Sequence, residues 1–191
     1  MPDTPTSDRT TLRQQLLAHR QTWSTTPEAA QAQIQLQARL LEVLAQLEPM
    51  CLGLYWPMQG EFNPRDLALI AAQQWNCHLA LPFARRSPVD MHFRAWTGDT
   101  PDTVDECKIA TTTGKPVEPD VVLVPCVGFT AKGWRLGYGG GYFDRYLAAH
   151  PGVTAIGVAW QAGLLSDEQL RQQPHDQALM AVVTEKQTFS D

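Results

Sequence analysis

Apolar positions along the chain follow two rhythms, and the change between them falls near residue 50. Through residues 9–23, Leu12 and Leu16 recur at helical spacing behind Ser7 and Asp8, either of which can cap a first helix. Ser24-Thr-Thr-Pro-Glu then offers a cap followed by proline, opening a second helix that runs to about Leu47. Ile34, Ala38, Leu41 and Ala45, with Leu40, Leu44 and Leu47 beside them, form its broad apolar face, and glutamines cover the other. Beyond Met50 short apolar runs alternate with helical stretches, which is the pattern of strands joined by crossover helices. Strands are predicted at residues 51–56, 77–82, 120–125, 154–160 and 181–184, the last of them closing the series, and helices at 64–75, 142–150 and 166–171. Residues 91–96 alternate at period two, as an edge or half-exposed strand does. Residues 97–119 are rich in Pro, Thr and Asp and predict a long irregular connection.

Composition narrows this to one α/β domain. A chain of 191 residues with 43% hydrophobic content can bury an ordinary core, expected over residues 8–191 behind a mobile tail at 1–7. The formal net charge of −5 offers nucleic acid no global attraction, so any basic site must be a local pocket for a small molecule. No apolar run approaches the roughly 18 residues of a membrane span, and the first residues lack a charged and then apolar leader. A cytoplasmic protein without membrane contact is expected. Cys51, Cys77, Cys107 and Cys126 are too widely spaced for a zinc site and too few for a disulfide scaffold.

The densest chemistry lies at residues 135–146, Arg135-Leu-Gly-Tyr-Gly-Gly-Gly-Tyr-Phe-Asp-Arg-Tyr146. Gly137, Gly139, Gly140 and Gly141 carry no Cβ, so their N–H groups can converge on one point and the backbone can approach a ligand. The run follows an apolar segment and leads into a predicted helix, whose positive end favours oxyanions. Two commoner phosphate motifs are excluded. Tyr142 stands where a dinucleotide fingerprint needs its third glycine, and Gly114-Lys115 is followed by Pro116 without the upstream glycine of a Walker loop. Arg135 and Arg145 can clamp phosphate oxygens, and Asp144 can hold Mg²⁺ beside them.

These residues carry a resemblance. Val122-Leu-Val-Pro-Cys-Val-Gly-Phe129, then Gly133-Trp-Arg-Leu-Gly-Tyr-Gly-Gly-Gly-Tyr-Phe-Asp-Arg-Tyr-Leu147, resembles the signature of the 5-formyltetrahydrofolate cyclo-ligase family, also called methenyltetrahydrofolate synthetases. Tyr55-x-Pro57-x-x-Gly60-Glu61, Leu81-Pro82 with Met91-x-Phe93, Gln161, Pro174-His175-Asp176 and Val183-Thr184-Glu185 extend it over most of residues 9–185. Two departures stand out: Arg9 where the family usually has Lys, and Lys108-Ile-Ala-Thr-Thr112 in place of a Gly-Ile-x-Glu-Pro segment with its carboxylate.

The resemblance implies a three-layer α/β/α single domain with a mostly parallel sheet, of the NagB/RpiA/CoA-transferase-like kind, and a monomer is expected. It implies Mg-ATP-dependent conversion of 5-formyltetrahydrofolate to 5,10-methenyltetrahydrofolate with release of ADP and phosphate. The formyl oxygen takes the γ-phosphoryl group, N10 of the folate attacks the resulting imidate carbon, and phosphate leaves as the ring closes. By the same resemblance Arg9, Thr10, Thr11, Leu12 and Arg13 would meet the ATP phosphates together with Arg135, Leu136, Gly137, Tyr138, Gly139, Gly140, Gly141, Tyr142 and Phe143. Glu61 and Trp56 would hold the folate, with Tyr138, Gly139, Gly140, Gly141 and Tyr142 at the junction, and Trp160 offers a second stacking face for a pterin. Arg135, Gly139, Gly140 and Arg145 would be catalytic, and Asp144 and Asp176 the metal carboxylates. The absence of a nucleophilic triad agrees, because phosphoryl transfer is catalysed by positioning and charge neutralisation. A related ATP-dependent kinase or ligase, and a non-catalytic nucleotide- or folate-binding protein, remain open as alternatives.

Overall fold

Helix α1 spans Arg9–Trp23 and α2 spans Pro27–Leu47, with Asp8 and Thr26 at the N-cap positions. Pro27 sits in the first turn of α2, where its missing N–H has no partner to lose. The computed structural model describes residues 8–190, so the tail expected at residues 1–7 lies outside the described residues. Strand β1 (Cys51–Gly53) leads to α3 (Arg65–Trp75), β2 (His78–Arg86) and β3 (Val89–Trp96). The connection at 97–119 is mostly irregular, as expected, with three two-residue strands: β4 (Thr103–Val104), β5 (Ala110–Thr111) and β6 (Pro116–Val117). Then come β7 (Val121–Pro125), β8 (Gly128–Thr130), β9 (Arg135–Leu136) and helix α4 (Tyr142–Ala149). The chain ends with β10 (Thr154–Val158), β11 (Leu164–Leu165), β12 (Ala181–Val183) and β13 (Thr188–Ser190).

The main sheet has the order β13-β12-β10-β7-β1-β2-β3-β6. Its five central strands, β12, β10, β7, β1 and β2, run parallel, and antiparallel strands finish both edges. Period-two alternation along β7 splits the core. Val121 and Leu123 pack with α2 and α3 through Leu36, Leu40, Leu44 and Leu67, while Val122 and Val124 pack with Tyr146 and Leu147 of α4. Each such buried large apolar side chain contributes about 1.5–3 kcal/mol. Helices therefore cover both faces, giving the three-layer, mostly parallel α/β architecture. A small sheet, β11-β8-β9, sits beside it, and Leu12 of α1 packs there with Leu136, Leu165 and Leu170. Among the described residues no helix is long and apolar enough to cross a membrane.

Three expectations need correction. Strand β1 stops at Gly53, and Tyr55 and Trp56 leave the sheet to reach a cavity wall. The segment at 91–96 is the half-exposed strand that its alternation implies, Met91 and Phe93 buried and His92 and Arg94 half-buried, with β6 pairing outside it through Phe93 and Val117. Residues 166–171 form turns: Ser166 does accept the Gln169 N–H on its hydroxyl at 3.3 Å, yet Leu170 drops into the α1 cluster and the turn does not propagate. Finally, the predicted last strand is followed by β13, which pairs with it in antiparallel fashion.

Candidate active site

Strand β9 and helix α4 suspend the glycine loop between them. Gly139 has φ +94° and Gly141, at the N-cap of α4, has φ +65°, conformations that side chains with a Cβ rarely adopt. Arginines fix the loop carbonyls: Arg13 Nε donates to the Gly137 carbonyl at 2.6 Å, and Arg145 Nη1 donates to the Gly140 carbonyl at 2.7 Å. That anchoring leaves the loop's N–H groups available for an anion at the N-terminus of α4. The loop forms one wall of a cavity of about 620 Å³.

Helix α1 supplies the adjoining wall. Its period turns Arg9, Thr10 and Arg13 to the cavity, whereas Leu12 enters the small-sheet core and Thr11 is exposed outside the wall. Of the five residues expected at the phosphates on α1, Thr11 and Leu12 are the two that do not line the cavity. Arg145 is likewise exposed and does not line the cavity; it braces the loop from outside. Its place on the first turn of α4 directs the guanidinium back to Gly140.

Arg9, Arg13 and Arg135 thus converge on the loop end. Arg135, 5% exposed, donates from Nη2 to Asp144 Oδ1 at 3.0 Å and from Nη1 to the Gln177 carbonyl at 3.1 Å. Arg9 binds both oxygens of Asp176, at 2.6 and 3.1 Å. Burial would raise the Asp176 carboxyl, but hydrogen bonds from Arg9 and the Gln173 N–H, with the charges of Arg9 and His175, hold it below the usual carboxylate range. Partial burial and the neighbouring Arg9 charge lower the Arg13 guanidinium from its ordinary value. A bound anion would relieve that strain.

A magnesium ion beside phosphates needs only one or two protein carboxylates. Asp144 fits: Arg135 and the Gln177 N–H both bind its Oδ1, and the side chain is partly exposed. Asp176 lines the same cavity and holds Arg9 and the Gln173 N–H on its oxygens, so a metal there would share the carboxylate with Arg9. Among the described residues no group of three or more His, Cys, Asp or Glu side chains could hold a metal by itself.

At the far end of the cavity Glu61 is buried, its side chain only 4% exposed. Oε1 accepts the Tyr138 hydroxyl at 2.7 Å and Oε2 accepts the Met58 N–H at 2.8 Å. Burial pushes the Glu61 carboxyl up, while Tyr138, Arg20 and the Met58 N–H oppose that rise. Trp56 lines this end, with its ring edge-on to Trp96 at 6.2 Å. Trp160 does not line it. It packs edge-on against Trp23 at 4.8 Å and donates to the Gly60 carbonyl at 2.8 Å, holding the Glu61 turn from behind.

Three residues at the site escaped sequence reasoning, two in the cavity wall and Arg20 behind it. Arg20 of α1, buried, donates to the Tyr138 hydroxyl and to the Gln59 carbonyl at 2.9 Å. Its signal was its place two turns after Arg13 on one helix face. Cys107 contacts the Tyr142 hydroxyl at 3.1 Å, and Asp105 accepts the Ala84, Cys107 and Ile109 N–H groups, shaping the segment that lacks the expected glutamate. Neither spacing nor residue type pointed to them.

Fold and site together define a single-domain α/β protein whose large cavity joins an arginine-braced glycine loop to a buried carboxylate. The model of the 5-formyltetrahydrofolate cyclo-ligase family matches residues 5–185, and the chain belongs to that family. The chain is 28% identical to the 5-formyltetrahydrofolate cyclo-ligase of Haemophilus influenzae over 142 residues, covering 69% of this chain and 74% of that one. A solved 5,10-methenyltetrahydrofolate synthetase of Mycoplasma pneumoniae is similar in fold, with a TM-score of 0.76 at 22% identity over 93% of this chain and 99% of that one. The synthetase of Aquifex aeolicus gives a TM-score of 0.77 at 24% identity, covering 95% of this chain and 92% of that one.

Proposed function

We propose that the chain is a cytoplasmic 5-formyltetrahydrofolate cyclo-ligase that uses Mg-ATP and releases 5,10-methenyltetrahydrofolate, ADP and phosphate. The observation that carries this reading is Tyr138. It belongs to the glycine loop that would cradle the triphosphate, and its hydroxyl binds the carboxylate that would hold the pterin. One residue thus joins the two ends of a cavity that must bring a γ-phosphate to a formyl oxygen.

In this reading the loop N–H groups with Arg9, Arg13 and Arg135 take the phosphate charge, a contribution realised fully as that charge redistributes in the transition state. Glu61 accepts from the pterin N–H groups and Trp56 gives the ring an apolar wall. The formyl oxygen attacks the γ-phosphorus and displaces ADP. N10 then attacks the imidate carbon, the carbon–oxygen bond breaks, and inorganic phosphate carries away the formyl oxygen as the N10 proton is lost. N10 and the activated carbon belong to one folate molecule, and the cavity walls hold them in the orientation that ring closure needs. Magnesium, when bound at Asp144, supplies further neutralisation of the phosphate oxygens.

Protein mixed with Mg-ATP and 5-formyltetrahydrofolate is expected to develop the near-ultraviolet absorbance of methenyltetrahydrofolate. Tight ATP binding without that absorbance would contradict the reading in favour of a nucleotide-binding protein. For the metal, Asp144→Asn is expected to raise the Mg²⁺ concentration for half-maximal ATP use about tenfold, since one charged ligand is lost. An unchanged Mg²⁺ titration would remove Asp144 from the metal site.

A further inference from the structure

Arg20 belongs to no motif, does not line the cavity and is 6% exposed, yet it holds three groups around Glu61. One Nη2 hydrogen goes to the Tyr138 hydroxyl, which itself donates to Glu61 Oε1 at 2.7 Å. Its Nη1 lies 3.9 Å from the same Oε1, and its Nε holds the Gln59 carbonyl at 2.9 Å, two residues before Glu61. The guanidinium carbon stands 5.7 Å from the centroid of the Tyr138 ring. A single side chain on α1 therefore fixes the carboxylate, the hydroxyl bound to it, and the turn that carries it.

We infer that Arg20 is a positioning residue for the folate end: it keeps the Glu61 carboxylate charged and aimed, and ties it through Tyr138 to the glycine loop. The inference rests on the reading of Glu61 as the pterin acceptor. The groups facing Glu61 are Arg20 from α1, Tyr138 from the loop, Tyr55 beyond β1, Cys126 beyond β7 and the Met58 N–H. Burial raises Tyr55, Tyr138 and Cys126, so all three are neutral at working pH. Arg20 is the cation of this set, and its removal leaves a buried carboxylate with two neutral donors. Such a group takes up a proton rather than remain charged. A protonated Glu61 accepts less well from pterin N–H groups.

The sign follows. In the unmodified protein folate use is lost as pH falls through the Glu61 titration. Without Arg20 the charged form is less favoured, so the same loss sets in at higher pH. The test measures the folate KM, the ATP KM and the pH profile of kcat/KM for folate in Arg20→Met and Arg20→Lys. Arg20→Met is expected to raise the folate KM about tenfold with the ATP KM within about twofold. Its acid limb moves up by about one pH unit or more, while Arg20→Lys returns most of both effects. In the Glu61→Gln background, Arg20→Met adds less than about twofold, because no charge remains to hold.

An unmoved acid limb in Arg20→Met overturns the inference. So does equal loss of ATP and folate use, which is what a purely structural arginine or an unfolded variant produces. So does an Arg20→Lys protein as impaired as Arg20→Met. Absence of turnover in the unmodified protein would instead defeat the proposed function, which keeps the two failures distinct.

Discussion

Arg135→Met lowers turnover at saturating ATP and folate by about 100- to 1,000-fold, the range lost when one preorganised donor to a developing oxyanion is removed. Two circumstances make Arg135 the costliest of the three cavity arginines. It emerges from β9 directly before the loop, and its side chain is nearly sealed from water, so neither solvent nor a flexible neighbour replaces its charge. It also carries structure, because methionine leaves Asp144 without its ion pair and the Gln177 carbonyl without its donor. That loss costs about 1–3 kcal/mol of stability and is seen as a lower melting temperature. Arg135→Lys separates the two roles. Lysine restores charge but not the fork that spans Asp144 and Gln177, so turnover recovers further than stability. Turnover in Arg135→Met within about threefold of the parent would contradict a charge-neutralising role at that position.

Glu61→Gln lowers kcat/KM for 5-formyltetrahydrofolate by about 30-fold and leaves the ATP KM within about twofold, since one charge-assisted hydrogen-bond partner is worth about 1.5–3 kcal/mol. Glutamine still accepts at one oxygen, but it presents an NH₂ group where the second carboxylate oxygen accepts the Met58 N–H. The variant also answers a question of pH. Burial raises the Glu61 carboxyl above the ordinary glutamate value, so folate use in the parent declines on the acid side as the group takes up its proton. Glutamine cannot titrate, and the acid limb contributed by this group disappears. Equal losses for ATP and folate, or an unaltered acid limb, would separate Glu61 from the folate.

How much of this was legible depended on the range of the interactions. Helices α1 and α2 form from spacing within a few turns, and Leu12, Leu40 and Leu44 are buried as that spacing implies, but Ile34, Ala38 and Ala45 of the expected α2 face are exposed, and the buried face runs instead through Ala29, Ala32 and Leu36. The small sheet was not legible, because β8 and β9 are three and two residues long and exist only where they pair with each other. The same division runs through the site. The glycine loop could be read as an anion cradle because four closely spaced glycines between arginines act locally. Which way those arginines point could not: Arg145 and Arg135 both flank the loop, yet helical geometry swings Arg145 to the outside while β9 holds Arg135 in the wall. The tie between Asp176 and Arg9, 167 positions apart, exists only once the fold brings them together. Arg20 needed Glu61 and Tyr138 to be seen together before its position meant anything.

The central claim is that this cavity passes the γ-phosphoryl group to the formyl oxygen, which then departs with phosphate. It is tested by a single turnover of 5-formyltetrahydrofolate whose formyl oxygen carries the heavy isotope, with Mg-ATP and mass analysis of the inorganic phosphate. The account predicts one labelled oxygen in each phosphate released, matched mole for mole by methenyltetrahydrofolate. Unlabelled phosphate, with the heavy oxygen recovered in water, would contradict it.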